Sequence, residues 1–175
     1  SYVSSYIPNH SGGGSVTRGI DSFTRTGISS LINSQEGVFF VEMAALSSNT
    51  GTSLLSLSDG STANNIYIGF SSTTNKISTV LYSNGSATGS LSVTSYDVKQ
   101  SNKIAVSYKT NEFKLFVNGS LIGTDTSVTM PNANTLNEFS SDFGQGSFKL
   151  AAQLKQAILF PTALTDAECI ALTTI

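Results

Sequence analysis

A chain of 175 residues with 39% hydrophobic residues is long enough to bury one substantial core and reads as a single compact unit. Only 11% of its residues are charged, against about a quarter in an average protein, and Ser, Thr, Asn and Gly fill the gap, which suits an extracellular β protein better than a cytosolic enzyme. A formal charge of −2 with nine dispersed Lys and Arg excludes a phosphate-tracking nucleic-acid surface, and without polybasic runs or long apolar stretches no membrane-spanning or membrane-coating role is expected.

Residues 1–20 (SYVSSYIPNHSGGGSVTRGI) form a low-charge lead-in with a Gly/Ser run at 11–15, and residues 21–175 form the domain proper. No charged n-region followed by an apolar h-region is visible, so no signal peptide is expected. The segments Ser5-Tyr6-Ile7-Pro8 and Val16-Thr17-Arg18 resemble the lead-in found ahead of jelly-roll domains in bacteriophage tail and related virion proteins. Arg18 and Arg25 read as structural pins near Asp21 more than as sugar or anion contacts.

Residues 37–46 (GVFFVEMAAL) are apolar on both faces of an extended chain, the character of a strand shielded on both sides. Glu42 interrupts the second face. An unpaired buried carboxylate is costly, so Glu42 is either solvated beside a ligand or paired within the sheet. Further strands are expected at 52–57, 66–70, 77–82 and 89–94, divided by turns such as Ser58-Asp59-Gly60 and Ser83-Asn84-Gly85. Short strands at this spacing indicate an all-β sandwich or barrel. Residues 102–109 alternate, with Ile104, Val106 and Tyr108 facing the core and Lys103, Ser107 and Lys109 facing water.

Residues 112–125 (EFKLFVNGSLIGTD) form the clearest hairpin, because Asn118-Gly119 tolerates the positive φ angles of a type I′ turn. A two-residue turn pairs Val117 with Ser120 and Leu115 with Ile122. Phe113, Leu115, Val117 and Ile122 then face the core, with Phe116 and Leu121 opposite. Residues 127–147 read as a long loop, of the kind that often rims a binding surface.

From 148 to 160 the chain alternates again: Phe148, Leu150, Ala152, Leu154, Ile158 and Phe160 fall on one side, with Gln156 as the one break. Pro161 stops the strand. Thr165-Asp166-Ala167-Glu168 is a capping box opening a helix of about two turns, in which Cys169, the only cysteine, reads as a buried core thiol packed by Leu164. The strand with its Ala-Leu-Thr-Asp-Ala-Glu continuation, and the Leu115-Phe116-Val117-Asn118-Gly119 hairpin, resemble laminin-G-like, concanavalin A-like jelly-roll domains. That resemblance implies an antiparallel two-sheet jelly-roll sandwich with a short C-terminal helix. Many members carry Asp-Glu where this chain has Lys155-Gln156, which removes two family acids.

Glycoside hydrolysis needs two carboxylates about 5 to 10 Å apart across the scissile bond, and the eleven acids here are dispersed without the Glu-x-Asp-x-x-Glu spacing of the laminarinase-like enzymes. The single histidine, His10, sits in the lead-in, so no nucleophile–base pair is expected either. Calcium, which takes six to eight oxygens, is possible with Asp59, Asn64, Asn65 or Asp142 as donors, although no Asp-x-Asp-x-Asp run occurs; otherwise no cofactor is expected.

Sugar binding asks for an aromatic platform with amides and hydroxyls around it. With no Trp, Tyr67, Tyr82, Tyr96 and Phe116 are the aromatic candidates, each also readable as packing. Asn9, Asn84 and Asn118 each open an Asn-x-Ser sequon, and two of these read as turns. The candidate ligand-binding set is Glu42, Asp59, Asn65, Tyr67, Tyr82, Asn84, Phe116, Asp142 and Gln145.

The expected function is non-enzymatic binding of a bacterial surface polysaccharide or other glycan by a phage-tail or virion-surface module, at a virion surface or extracellularly. The alternative is a structural module that decorates or trimerises a fibre or capsid. The face carrying Phe116, Leu121 and Glu42 separates the two: an open groove favours binding, and cover by another chain favours assembly.

Overall fold

The structure, a computed structural model, describes residues 22–49 and 51–175. The lead-in with its resemblance, including Arg18, lies outside the described residues. Eleven strands and one helix occur among the described residues: β1 (Thr24–Arg25), β2 (Glu36–Ala45), β3 (Ser53–Ser58), β4 (Asn65–Phe70), β5 (Ile77–Ser83), β6 (Ser86–Val93), β7 (Asn102–Lys109), β8 (Glu112–Val117), β9 (Ser120–Asp125), β10 (Glu138–Ser140), β11 (Ala152–Phe160) and α1 (Asp166–Thr173).

The strands form two antiparallel sheets, one in the order β1-β10-β3-β4-β5-β6 and the other β11-β2-β7-β8-β9. Between them lies one core. Phe39, Val41 and Met43 from β2 meet Leu55, Leu57, Ile66, Ile68, Phe70 and Leu81 of the larger sheet, all essentially without solvent exposure. The expected two-sheet sandwich with a short C-terminal helix is the observed architecture.

The apolar second face of β2 has its own cover. Val38 and Phe40 pack with Ala105 of β7, Phe116 of β8 and Cys169 of α1, flanked by Ile158, Phe160, Leu164 and Leu172. The C-terminal helix is therefore the lid of a second, smaller core on the outside of the five-stranded sheet. Its start is the expected capping box: the Thr165 hydroxyl accepts from the Glu168 amide, and the Glu168 carboxylate accepts from the Thr165 amide. Cys169 is buried, as expected.

Three expectations change. Residues 127–147 are not entirely loop, because β10 inserts between β1 and β3, pairing Glu138 with Ser58 and Ser140 with Ser56. Three residues are too few to show a period. In the hairpin, Leu115 pairs with Gly123 and Phe116 with Leu121, so Ile122 is an extra residue in a β-bulge rather than the partner of Leu115.

The last strand begins at Ala152, not 148, and Phe148 sits at φ 52° in the preceding loop. Its break at Gln156 is also a bulge: Leu154 pairs with Met43 and Gln156 with Glu42, leaving Lys155 unpaired in the ladder. One extra residue reverses every side chain beyond it. Ala152, Leu154, Ala157 and Leu159 thus face the main core, whereas Ile158 and Phe160 turn to the helix side.

Candidate functional site

On the larger sheet, residues that alternate with the core face outward. Cross-strand partners share a face, so Leu54 and Gly69, Ser56 and Tyr67, Tyr67 and Val80, and Asn65 and Tyr82 lie on this outer surface together. Glu138 and Ser140 extend it across β10. At one end of the sheet, the chain after β10 folds back over these residues.

That return segment is pinned by polar contacts. The Ser56 hydroxyl donates to the Asp142 carbonyl at 2.6 Å, the Asn65 side-chain amide donates to the Phe143 carbonyl at 3.2 Å, and the Gly144 amide donates to the Asp142 carboxylate at 2.7 Å. Gly144, at φ 82°, runs so close to Ser61 that an added Cβ would lie 2.8 Å from its carbonyl oxygen. Asp142 is thereby a loop-shaping residue, also receiving the Ser140 hydroxyl at 3.2 Å.

The segment delivers Phe143 onto the two tyrosines. Its ring stands edge-on to Tyr67 at 5.6 Å, to Tyr82 at 5.4 Å and to Phe148 at 6.0 Å between centroids. Together with Thr52 and Leu54, these rings line a cavity of about 110 Å³. Phe148 is 53% exposed at its mouth. Burial, then the neighbouring Tyr82, pushes the Tyr67 phenol up to about 12, so it is a neutral hydroxyl at physiological pH.

Of the nine candidate residues, seven gather at this end of the larger sheet. Tyr67 and Tyr82 line the cavity, Asn65 is buried beneath the return segment, and Asp142 and Gln145 belong to that segment, Gln145 exposed at φ 58°. Asp59 and Asn84 shape the rim. The Asp59 carboxylate accepts from the Ser61 amide at 2.9 Å, the Ser61 hydroxyl at 2.6 Å and the Asn64 amide at 2.8 Å, and these bonds hold it below its ordinary value against the opposing effect of burial. Asn84, at φ 52°, donates its backbone amide to Asn64. The Asn65 Oδ1 atom is buried and meets no hydrogen-bond partner.

The other two lie on the opposite sheet. Phe116 is fully buried under α1, which places it in the second core and not at a ligand surface. Glu42 accepts from the Ser101 hydroxyl at 2.8 Å and from Lys155 Nζ at 3.1 Å, the within-sheet pairing left open by the sequence. The face expected to separate binding from assembly is covered around Phe116 by the chain's own helix, with Leu121 41% exposed at its side. Tyr96 donates to the Val117 carbonyl and packs on the main core. Sequence reasoning missed Phe143, Phe148, Leu54 and Thr52; an aromatic residue amid Ser, Asp and Gly at 140–146 was the available signal.

The three carboxylates near the cavity do not form a metal cluster: Asp59 is saturated by its own turn, and no group of three or more His, Cys, Asp or Glu converges among the described residues. No helix among these residues is long and apolar enough to cross a membrane.

The family described as the concanavalin A-like lectin/glucanases superfamily, in its laminin-G form, matches residues 38–169, from the first long strand to the buried cysteine of the helix. The chain belongs to this superfamily. No curated protein sequence matches significantly.

Solved structures share the superfamily sandwich at low identity. The CBM40 domain of Ruminococcus gnavus IT-sialidase, bound to α2,3-sialyllactose, is 20% identical with a TM-score of 0.66, covering 79% of this chain and 83% of that one. A heptameric SAP-like pentraxin from Limulus polyphemus is 15% identical with a TM-score of 0.61, covering 85% and 72%. A botulinum neurotoxin type C structure, whose cell entry depends on two ganglioside molecules, is 16% identical with a TM-score of 0.65, covering 89% of this chain and 40% of that one. At such identities the likeness shows a shared fold.

Proposed function

We propose that the protein is a non-catalytic glycan-binding module that holds sugar in the aromatic cavity on the outer face of its six-stranded sheet. The observation that carries this reading is the convergence of Tyr67, Tyr82, Phe143 and Phe148, from two strands and a pinned loop, around an open cavity. A pyranose presents an apolar C–H face that such rings can cover, and its hydroxyls suit the phenols and Thr52 at the margin. Binding modules for sialyllactose and a toxin dependent on gangliosides support the reading by sharing the fold, and fold alone does not carry function.

The partner we assign is a bacterial surface polysaccharide, met at a virion surface or extracellularly. The resemblance of residues 5–18 to virion lead-ins supports that setting. A glycan array read with the wild-type chain and with Tyr82→Ala tests the site. Binding to at least one glycan, lost in the variant, is expected. Silence of the wild type overturns the reading, and release of reducing sugar from a bound glycan overturns its non-catalytic part.

A further inference from the structure

From the distribution of charge around the cavity we infer a ligand class, resting on the glycan reading above: the pocket takes a neutral sugar face and gains nothing from a carboxylate on the glycan. None of the six wall residues, Thr52, Leu54, Tyr67, Tyr82, Phe143 and Phe148, carries a charge. An anionic sugar is held where a cation or a set of strong donors meets its carboxylate. Here the walls offer only the two tyrosine hydroxyls and that of Thr52, with no guanidinium or ammonium among them.

The carboxyl side chains nearest the walls on this face are those of Glu138 and Asp142. Glu138, Ser58, Asn65 and Tyr82 are successive cross-strand partners on β10, β3, β4 and β5, so Glu138 lies in the same row as a wall residue. Asp142 immediately precedes Phe143. Both carboxylates are more than nine-tenths buried, and their hydrogen-bond donors are hydroxyls and a backbone amide, with no ion pair to either among the described residues.

Four lysines are engaged on the other side of the sandwich. Lys109 and Lys114 pair with Glu112, Lys114 also with Asp166, Lys155 with Glu42, and Lys103 donates to the Thr174 carbonyl. Lys76 and Lys149, the cations nearest in sequence to the cavity, belong to none of its walls. A sialylated or uronic-acid glycan therefore binds through a neutral residue, with its carboxylate left in water.

Matched glycan pairs test this on the intact chain: lactose against 3′-sialyllactose, and uronic-acid oligosaccharides against their carboxyl-reduced forms. The neutral member is expected to bind as tightly as its acidic partner or tighter, with less than about a twofold change in Kd between about 50 and 500 mM NaCl. Lys149→Ala is expected to leave Kd unchanged. An acidic member binding about tenfold tighter than its neutral partner, or loss of binding in Lys149→Ala, overturns the neutral-ligand inference while leaving glycan binding intact. Silence of both members of every pair overturns the glycan reading and this inference with it.

Discussion

Phe143 stands edge-on to Tyr82 with ring centroids 5.4 Å apart, and this contact joins the hydrogen bonds from Ser56 and Asn65 in fastening the loop after β10 to the outer face of the larger sheet. Edge-to-face aromatic pairs contribute about 0.5–1.5 kcal/mol beyond the area they bury. Phe143 makes three such contacts. Phe143→Ala is expected to lower stability by about 1–3 kcal/mol in urea unfolding and to weaken glycan binding at least about tenfold, because Phe148 loses its support. Unchanged binding in a folded variant would show that the ring is only packing.

Gly69 lies against Leu54, a wall of the same cavity. It is the outward residue of β4 opposite Leu54, and an added Cβ would come within 2.5 Å of Leu54 Cδ2 and closer still to the Ser53 carbonyl. Backbone cannot yield as a flexible side chain can. Gly69→Ala is expected to cost about 1–3 kcal/mol and to lift Leu54 into the cavity, reducing affinity together with stability. A crystal structure of the variant, or its denaturation midpoint, checks this; a midpoint equal to wild type would rule it out.

The ion pair between Glu42 and Lys155 gives a pH dependence. The Ser101 hydroxyl and Lys155 hold the Glu42 carboxyl below its ordinary range. A depressed folded value means the unfolded chain binds the proton first as pH falls, so the contribution is present above about pH 4.5 and disappears as pH drops through the folded value. Lys155 is more than half exposed, which limits the pair to about 0.2–1 kcal/mol. The Tm difference between wild type and Glu42→Gln is expected to be small and positive at pH 7 and to shrink steadily as pH falls below about 4.5. A gap that widens in acid would contradict the assignment.

Lys155 also shows where the sequence stops being legible. Strands 102–109 and 112–117 emerged at their observed bounds because a period of two is a local property of the pleat. Tyr67 and Tyr82 were legible as candidates by residue type, as aromatic residues in a chain without Trp. Period two tells which residues share a face and not which of two outer faces it is, so Glu42 and Phe116 joined the set although they lie on the other sheet. Phe143 escaped because its position depends on Asn65 and Ser56, distant in sequence.

The bulge was visible only as a polar break at Gln156. Deleting Lys155 removes the extra residue and sets Gln156 directly after Leu154 against Glu42 and Met43, so the ladder becomes regular with Ala157 and Leu159 still on the core face and Ile158 and Phe160 still under the helix. The deletion is expected to shift Tm by only a few degrees, close to Lys155→Ala, which loses the same ion pair to Glu42. Loss of cooperative unfolding in the deletion alone would show that the strand cannot pair without its bulge.

Cys169 tests the helix as a lid. Its side chain is fully buried among Val38, Phe40, Ala105 and Phe116, and burial first, with Asp166 and Glu168 adding to it, pushes the thiol up to about 11. The thiolate is the reactive form, so a thiol reagent at pH 8 meets neither an accessible nor an ionised sulfur in the native state. Labelling is expected to proceed only as fast as α1 detaches. Thr165→Ala removes the cap, which costs about 1 kcal/mol, and if detachment is local that weakening should speed labelling about fivefold while global unfolding in urea changes by no more than the same amount. Labelling that tracks global unfolding alone would mean that the helix and the sandwich open as one unit. Fast labelling of the wild type would contradict the lid itself, since Phe116 and Phe40 would then be open to water as well.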